Sequence, residues 1–278
     1  MSLIHDPDLN DVLSDAELDD LAVLIDHITD KGEGRITLPS STCAMLLAAR
    51  KRRTVDAAQR ALIAEELSRF GGNSLMNLFR GGGGVSYREI ARDVADHLKA
   101  VSDGSDTAAA YEIAILQKLA EQSLSKMSET EKVAFFDQFG MRYAAGSGAA
   151  ASAGLLAGIA ASSSSGFQLS ALIANGVVTA LLGRGVTVGF GSIAGGAALA
   201  GPVAIALSVI WGLYGLTSPA YRVTVPCVIH LAYMRRKRAF AHACRQCGAL
   251  PVAGARFCSG CGAPVAAVPA LAASAGAA

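Results

Sequence analysis

The chain has no acidic residue after Asp137, although its 278 residues include 23 Asp and Glu. Between residues 143 and 221 it carries one charged side chain, Arg184. This half therefore lacks the carboxylates that acid–base catalysis uses and the acidic residue that holds a dinucleotide ribose. Close helix packing explains the glycines of residues 183–201 better than a nucleotide site does.

Other signatures of enzymes are missing as well. No predicted helix carries a His-Glu metal motif, and the glycines at 81–84 precede no Lys-Ser/Thr pair of a phosphate-binding loop. The five histidines are scattered along the chain: His5, His27, His97, His230 and His242. The sequence therefore predicts a protein that is not an enzyme and has no catalytic residue.

The N-terminus and the cysteines predict a cytoplasmic protein. The start, MSLIHDPDLNDV, is acidic and lacks the basic residues and apolar core of a secretory signal. Six cysteines in a chain of this length do not resemble a secreted disulfide framework. We expect Cys43 and Cys227 to be buried thiols.

Charge is divided unevenly along the chain. Residues up to Asp137 have a net charge of −8 and the later residues +9, because nine of the 24 Lys and Arg follow Asp137. This asymmetry indicates either contact with nucleic acid or membrane, or attraction between the two halves. The basic run at residues 50–53 is compatible with phosphate or lipid contact, but we favour a solvated turn.

Residues 1–137 are predicted to form an acidic domain of amphipathic helices. In a capping box, a Ser hydroxyl and a Glu carboxylate three residues later each bond a backbone N–H at the start of a helix. Three pairs have this spacing: Ser14/Glu17, Ser86/Glu89 and Ser128/Glu131. The first predicts a helix over residues 14–29, and apolar periodicity adds helices over 55–70 and 107–126. With no alternating strand pattern, the fold class is predicted to be all-α.

Residues 138–240 form a second, apolar region rich in Ala and Gly. Helices are predicted over residues 148–161, 167–182 and 202–216, each shorter than the roughly 20 residues that cross a bilayer comfortably. Small residues let helix backbones approach closely, in membranes and in soluble hairpins alike. The region is compatible with a hairpin that leaves a soluble bundle at a membrane, and also with a two-pass anchor.

Four consecutive basic residues end this region: Arg235, Arg236, Lys237 and Arg238. A basic run directly after an apolar block is typical of a cytoplasmic flank that anionic lipid attracts. The alternative is a solvated helix end, which the helix dipole favours.

Several segments resemble signatures of the bacterial YaaW-type proteins, an uncharacterised family. FGGNS at 70–74, FRGGG at 79–83 and YREI at 87–90 are similar to its central signature. SPAYRVTVP at 218–226 is similar to its C-terminal signature, and LGRG at 182–185 also matches. The resemblance covers about residues 10–238. It implies a relationship in classification to the ubiquinol-cytochrome c chaperones, helical assembly factors that engage a membrane protein, and it transfers no catalytic residue.

These signatures also contain charged and tyrosine residues in otherwise low-charge surroundings. We expect five of them to form a polar cluster between the two halves: Arg80, Tyr87, Arg88, Tyr221 and Arg222. The alternative is purely structural, because Pro219 and Pro226 would bracket a short extended segment or a helix start that Arg222 caps.

The strongest motif is C-x2-C-x10-C-x2-C, formed by Cys244, Cys247, Cys258 and Cys261. Two residues between thiolates let one tight turn place both sulfurs on one metal, and two such turns close a tetrahedral zinc site. With four protein ligands the zinc is predicted to be structural. Residues 241–265 resemble the zinc-ribbon tails of many bacterial proteins, which the typical YaaW-type chain lacks. We expect Phe257 in the ribbon core, His242 as a bystander, and residues 266–278 to be disordered.

Together these features predict a membrane-associated helical adaptor or assembly chaperone, peripheral or reversibly inserted at the inner membrane. The apolar region would contact lipid or a membrane-protein client, and the ribbon would recruit a protein partner. A pore-forming or membrane-disrupting protein is the alternative. Nucleic-acid binding through the ribbon is a second alternative, which the scarcity of aromatic residues and cations disfavours. The sequence leaves the oligomeric state open.

Overall fold

The computed structural model describes residues 6–33, 35, 38–71, 84–138, 141, 143, 148–160, 164–182, 220–241, 243–244, 246–247 and 255–265. Over these residues the prediction of an all-α fold is confirmed, since the named elements are ten α-helices and one 3-10 turn, Asp30–Gly32. The helices are α1 (Pro7–Ser14), α2 (Leu18–Thr29), α3 (Ser40–Arg52), α4 (Ala57–Gly71), α5 (Tyr87–His97), α6 (Ala108–Lys126), α7 (Glu129–Gln138), α8 (Gly148–Ala160), α9 (Ser164–Leu182) and α10 (Tyr221–Ala241).

Two of the three predicted capping boxes start helices in the structure. The Ser86 hydroxyl accepts a hydrogen bond from the Glu89 N–H over 3.3 Å at the start of α5. At the start of α7 the exchange is reciprocal, because the Glu131 carboxylate also accepts from the Ser128 N–H over 2.8 Å. These local bonds pair backbone donors that the first helical turn leaves open.

The prediction of a helix starting at Ser14 is wrong. Ser14 ends α1, and its hydroxyl donates back to the Asp11 carbonyl over 3.1 Å. A helix already starts before Ser14. The Asp6 carboxylate accepts a hydrogen bond from the Leu9 N–H over 3.1 Å, and Pro7 occupies the first helical position. The second helix then begins at Leu18 and ends at Thr29.

Helix α10 lies at the centre of the fold. Residues 223–234 are all buried, and the helix contacts α1, α2, α4, α5, α6 and α9. A helix that is apolar on every side needs such complete cover. It begins at Tyr221 and continues through Pro226, so of the two structural alternatives for this segment the helix start is correct and the extended segment is wrong.

Helices α8 and α9 form an apolar hairpin against this centre. They pack on each other, and both contact α6. At their crossing, a side chain on Gly166 would collide with the backbone carbonyl of Gly158. The predicted close approach through small residues is therefore present. The third predicted helix, residues 202–216, lies outside the described residues.

One hydrophobic core includes residues from Leu9 to Met234. Its members come from the acidic first half, from the apolar hairpin and from α10. The predicted division into domains at residues 137 and 240 stays a prediction. The structure adds that helices on both sides of residue 137 bury their apolar faces together.

Candidate metal centre and basic turn

The four motif cysteines converge at the C-terminal end of the described chain. Their sulfur atoms all lie within 4.8 Å of one another. Cys244 and Cys261 sulfurs are 3.6 Å apart, and Cys247 and Cys258 sulfurs are 3.5 Å apart. All four are free thiols. These separations exceed the roughly 2.05 Å of a disulfide bond, so the group is a cluster of unbonded sulfurs.

The cluster fits a tetrahedral metal ion. Four sulfurs at about 2.3 Å from a central zinc would stand about 3.8 Å apart, close to the separations in the structure. Backbone N–H groups of Cys247 and Gln246 point at Cys244 and lower the pKa of its thiol to about 7. A thiol that ionises more readily is a better metal ligand.

Backbone hydrogen bonds shape the second cysteine turn. The Cys258 N–H donates to the Ala263 carbonyl and the Gly262 N–H donates to the Cys258 carbonyl, both over 2.8 Å. Gly262 adopts a φ of +73°, a left-handed conformation that glycine takes without steric cost. The Gly260 N–H also donates to the Cys258 sulfur over 3.4 Å. The turn therefore presents its two sulfurs to the same point.

The prediction that Phe257 lies in the ribbon core is wrong. Phe257 is 64% exposed, whereas Cys244 and Cys258 are buried. Phe257 forms an isolated bridge with Pro264, and successive side chains of extended backbone point to opposite sides. Because Cys258 turns inward, its neighbour turns outward. His242 lies outside the described residues.

Arg235, Arg236, Lys237 and Arg238 form the last part of α10, which we call the basic turn. Its four side chains contact α1, the residues that join α1 to α2, α2, α6 and α8. Arg238 pairs with Asp11 over 2.9 Å and with Asp15 over 3.0 Å. Lys237 pairs with Glu17 over 2.7 Å and with Asp20 over 2.9 Å.

The two other cations of the basic turn reach α6, α1 and α8. The Arg235 Nε donates to the Glu112 carboxylate on α6 over 2.8 Å, and its Nη2 donates to the Asp8 carbonyl over 3.2 Å. The Arg236 Nη1 donates to the Ile159 carbonyl at the end of α8 over 3.0 Å. Of the two explanations of the charge asymmetry, the structure shows attraction between the acidic and basic halves.

Burial and nearby carboxylates have opposite effects on the pKa values of these cations. Burial lowers the pKa of Lys237, but hydrogen bonds and charge from Glu17 and Asp20 outweigh it and raise the pKa overall. Burial also lowers the pKa of Arg235, but the charge of Glu112 and its hydrogen bond raise the pKa by more, so that the pKa is raised overall. For Arg236 burial dominates and lowers the pKa.

The members of the predicted polar cluster have separate partners. Tyr87 is fully buried and donates its hydroxyl to Glu112 over 2.8 Å. Arg88 pairs with Asp106 over 3.1 Å at the surface. Tyr221 stacks on His97 with ring centroids 3.9 Å apart, and Arg222 is exposed. Arg80 lies outside the described residues.

A network that the sequence reasoning missed joins Tyr87 to the basic turn. Glu112 is 1% exposed and accepts hydrogen bonds from the Tyr87 hydroxyl and from Arg235. Burial and the Glu112 charge raise the pKa of Tyr87, which keeps the hydroxyl protonated as a donor. A glutamate on the apolar face of α6 was the available sequence signal, since a carboxylate is rarely buried without a partner.

Two buried histidines lie in α2 and α10. Burial, reinforced by the charge of His230, lowers the pKa of His27 to about 3. Burial lowers the pKa of His230 to about 4 against the opposing charge of Asp20. Both side chains are therefore neutral in the folded protein at pH 7. The His230 ring Nε2 lies 3.2 Å from the Asp20 carbonyl.

The basic run at residues 50–53 forms the end of α3 and the residue after it. Arg50 pairs with the buried Asp26 over 2.8 Å, and Arg53 pairs with Asp19 over 2.9 Å. The preferred explanation, a solvated turn, therefore describes Lys51 and Arg52, which are exposed, better than it describes Arg50.

Comparison with known proteins identifies relatives of this chain. Two Helicobacter pylori proteins, each described as UPF0174 protein, are 35% and 33% identical to it over 182 and 183 residues. Each match covers 63% of this chain, and they cover 87% and 70% of the relatives. UPF0174 protein YaaW of Escherichia coli is 33% identical over 179 residues, which cover 63% of this chain and 70% of that protein. No protein-family model and no solved structure matches.

Proposed function

The chain belongs to the UPF0174 family, which includes YaaW, and from this premise we propose that it is a non-enzymatic, membrane-associated helical adaptor or assembly chaperone. Its apolar hairpin would contact lipid or a membrane-protein client. Its four-cysteine module would bind structural zinc and recruit a protein partner. The single observation that carries the membrane contact is the near-absence of charge in α9 and in the sequence on both sides of it.

Helix α9 is long and apolar enough to cross a bilayer. The span Ser165–Leu182 has 18 residues with a mean hydropathy of 1.5, and half of it is buried inside the protein. Neither α8 nor α9 contains a charged residue. Residues 183–219, which follow, contain one charge, Arg184. A core helix passes the same test of length and hydropathy, so the flanking sequence, which has no charge before α9 back to residue 143 and only Arg184 after it up to residue 219, is what favours membrane contact.

The metal centre supports the second part of the proposal. Cys244, Cys247, Cys258 and Cys261 would hold zinc with four thiolates, which leaves no ligand position for water or substrate. Metal binding would supply the folding free energy of a module too small to stabilise itself by an apolar core. The exposed ring of Phe257 beside this centre offers an aromatic contact for a partner.

Fractionation of cells that express the full chain tests the proposal. We expect the protein in the membrane pellet, with a carbonate wash distinguishing peripheral protein, which it releases, from inserted protein, which it retains. Recovery entirely in the soluble fraction would contradict membrane association.

A matched pair of substitutions sharpens the test. Ala180→Asp places a carboxylate on the exposed side of α9, and Val133→Asp places one at an exposed position of α7. We expect the first to reduce the membrane fraction and the second to leave it unchanged. Leakage of dye from anionic liposomes on addition of the protein would favour the pore-forming alternative instead.

A further inference from the structure

We propose that the basic turn is a binding surface for an anionic lipid bilayer, and that α1 and the residues that join it to α2 cover this surface until the bilayer displaces them. The inference rests on the proposed membrane association and adds a partner and a means of regulation to it. It starts from the contacts of Arg235, Arg236, Lys237 and Arg238.

The covering side-chain pairs are ionic and lie at the surface, and Arg235 and Arg238 also donate to the Asp8 and Asp11 carbonyls of α1. Asp11, Asp15 and Glu17 have side chains that are 47%, 63% and 65% exposed, and they pair with Arg238 and Lys237. Solvent and salt weaken such pairs. Phosphate oxygens of anionic lipids offer the same charge and the same acceptor geometry to Lys and Arg. A bilayer can therefore replace these three carboxylates one for one.

The inner contacts hold the basic turn in place during this exchange. Glu112 and Asp20, the partners of Arg235 and Lys237 on α6 and α2, are both buried. Helix α1 packs on α4, α5 and α10 and buries three apolar side chains, Leu9, Val12 and Leu13, whereas α10 is buried over all of residues 223–234. Loss of the outer pairs would therefore release α1 before it disturbs α10.

The end of α10 also contacts the apolar hairpin. Arg236 donates to the Ile159 carbonyl in the last turn of α8, and Phe240 stacks on Phe167 of α9 with ring centroids 4.5 Å apart. Residues on one stretch of α10 thus touch both the acidic cover and the hairpin. A bilayer that binds the basic turn would arrive beside the helices proposed to enter it.

Hydrogen–deuterium exchange of the wild-type full chain tests the displacement directly. We compare the protein alone, with phosphatidylcholine vesicles, and with vesicles containing phosphatidylglycerol. Amide hydrogens of α1 should exchange faster in the presence of phosphatidylglycerol vesicles than in the other two conditions, while those of α10 should stay protected in all three. Binding to anionic vesicles with unchanged exchange in α1 would overturn the inference and leave the proposed function intact.

Charge variants provide a second, independent measurement. The triple variant Asp11→Asn, Asp15→Asn, Glu17→Gln removes the outer carboxylates, so that Arg238 loses both of its carboxylate partners and Lys237 keeps only the buried Asp20. The control removes three carboxylates from pairs elsewhere on the surface: Asp19→Asn, Asp106→Asn, Glu121→Gln. Both variants gain the same net charge, so a general electrostatic effect changes both equally.

Co-sedimentation with phosphatidylglycerol vesicles measures the affinity of each variant. A freed cation should strengthen binding about fivefold, so the triple variant, which frees Arg238, should bind about fivefold more tightly than wild type. The control should change little, and added salt should reduce the difference. Equal affinities for the two variants would refute the inference, whereas absence of wild-type binding to any vesicle would refute the proposed membrane association as well.

Discussion

Replacement of Glu112 tests whether the buried network that joins Tyr87 and Arg235 holds the fold together. Glu112→Gln keeps the shape and still offers an oxygen to the Tyr87 hydroxyl, which lies 2.8 Å away. The amide carries no negative charge. Arg235, whose Nε lies 2.8 Å from the Glu112 carboxylate in the wild-type protein, therefore loses its oppositely charged partner. The variant therefore separates the charge of Glu112 from its volume.

The expected loss follows from the burial of the pair. Breaking a buried ion pair by removing one partner costs about 3–5 kcal/mol, because the remaining charge keeps its desolvation penalty. Arg235 retains the Asp8 carbonyl at 3.2 Å and Asp11 at 3.7 Å, so we expect the lower end, about 3 kcal/mol. With an m-value of about 3 kcal/mol/M, the urea midpoint should fall by about 1 M.

Two comparisons control for other causes. Arg88→Gln breaks the exposed pair with Asp106, which should cost less than about 1 kcal/mol. The double variant Glu112→Gln, Arg235→Met removes the stranded charge together with its partner and should recover much of the loss. Urea unfolding followed by circular dichroism measures all four proteins. If Glu112→Gln shifts the midpoint no more than Arg88→Gln, or if the double variant is no more stable than Glu112→Gln, the reasoning is wrong.

Three further predictions concern the metal centre, pH and the hairpin. Cys258→Ser should reduce bound zinc, measured by elemental analysis, from about one ion per chain to nearly none, while Cys43→Ser should keep it. Stability should fall as pH drops from 6.5 towards 4, because unfolded His230 takes up a proton at pH values where folded His230, with a pKa of about 4, does not. The contribution is about 3 kcal/mol, and His230→Gln should reduce the pH dependence of the urea midpoint, leaving the part that buried His27 contributes. Gly166→Val should lower the melting temperature by an amount equivalent to about 2 kcal/mol or more, because the new side chain would meet the Gly158 backbone. Gly154→Ala is the control and should leave the melting temperature unchanged. The new Cβ would lie 3.7 Å from the nearest atom, Met141 Cε, which is an ordinary contact distance.

Local sequence signals predict helix starts and the convergence of the four cysteines well, because the residues of each signal are a few positions apart. The Ser128/Glu131 box and the two cysteine turns depend on spacings of two or three residues. The same reasoning fails when two local signals compete, as where Asp6 and Pro7 start a helix that absorbs Ser14. Helix α3 is not predicted at all, because its apolar side chains follow no clear period and Met45 remains exposed.

Contacts between distant parts of the chain could not be predicted from these patterns. The basic turn resembles a lipid-binding flank in sequence, yet Arg238 pairs with Asp11, 227 residues away. The sequence shows where the positive charges are, but only the tertiary structure shows which carboxylates lie close enough to pair with them. Phe257 illustrates the same limit, because an aromatic residue beside a metal ligand can face either side of an extended segment.

The central position of α10 has a consequence for how the protein is made. Ribosomes add about 5–20 residues per second, and α10 ends at Ala241, whereas the hairpin ends at Leu182. Roughly 3–12 s of synthesis therefore separate the hairpin from the helix that covers it. During that interval the nascent chain exposes the uncharged helices α8 and α9, because α10, which covers them in the folded protein, has not yet been synthesised. A membrane or a chaperone that meets the chain at the ribosome would compete with α10 for the hairpin, so the timing of translation could decide where the hairpin goes.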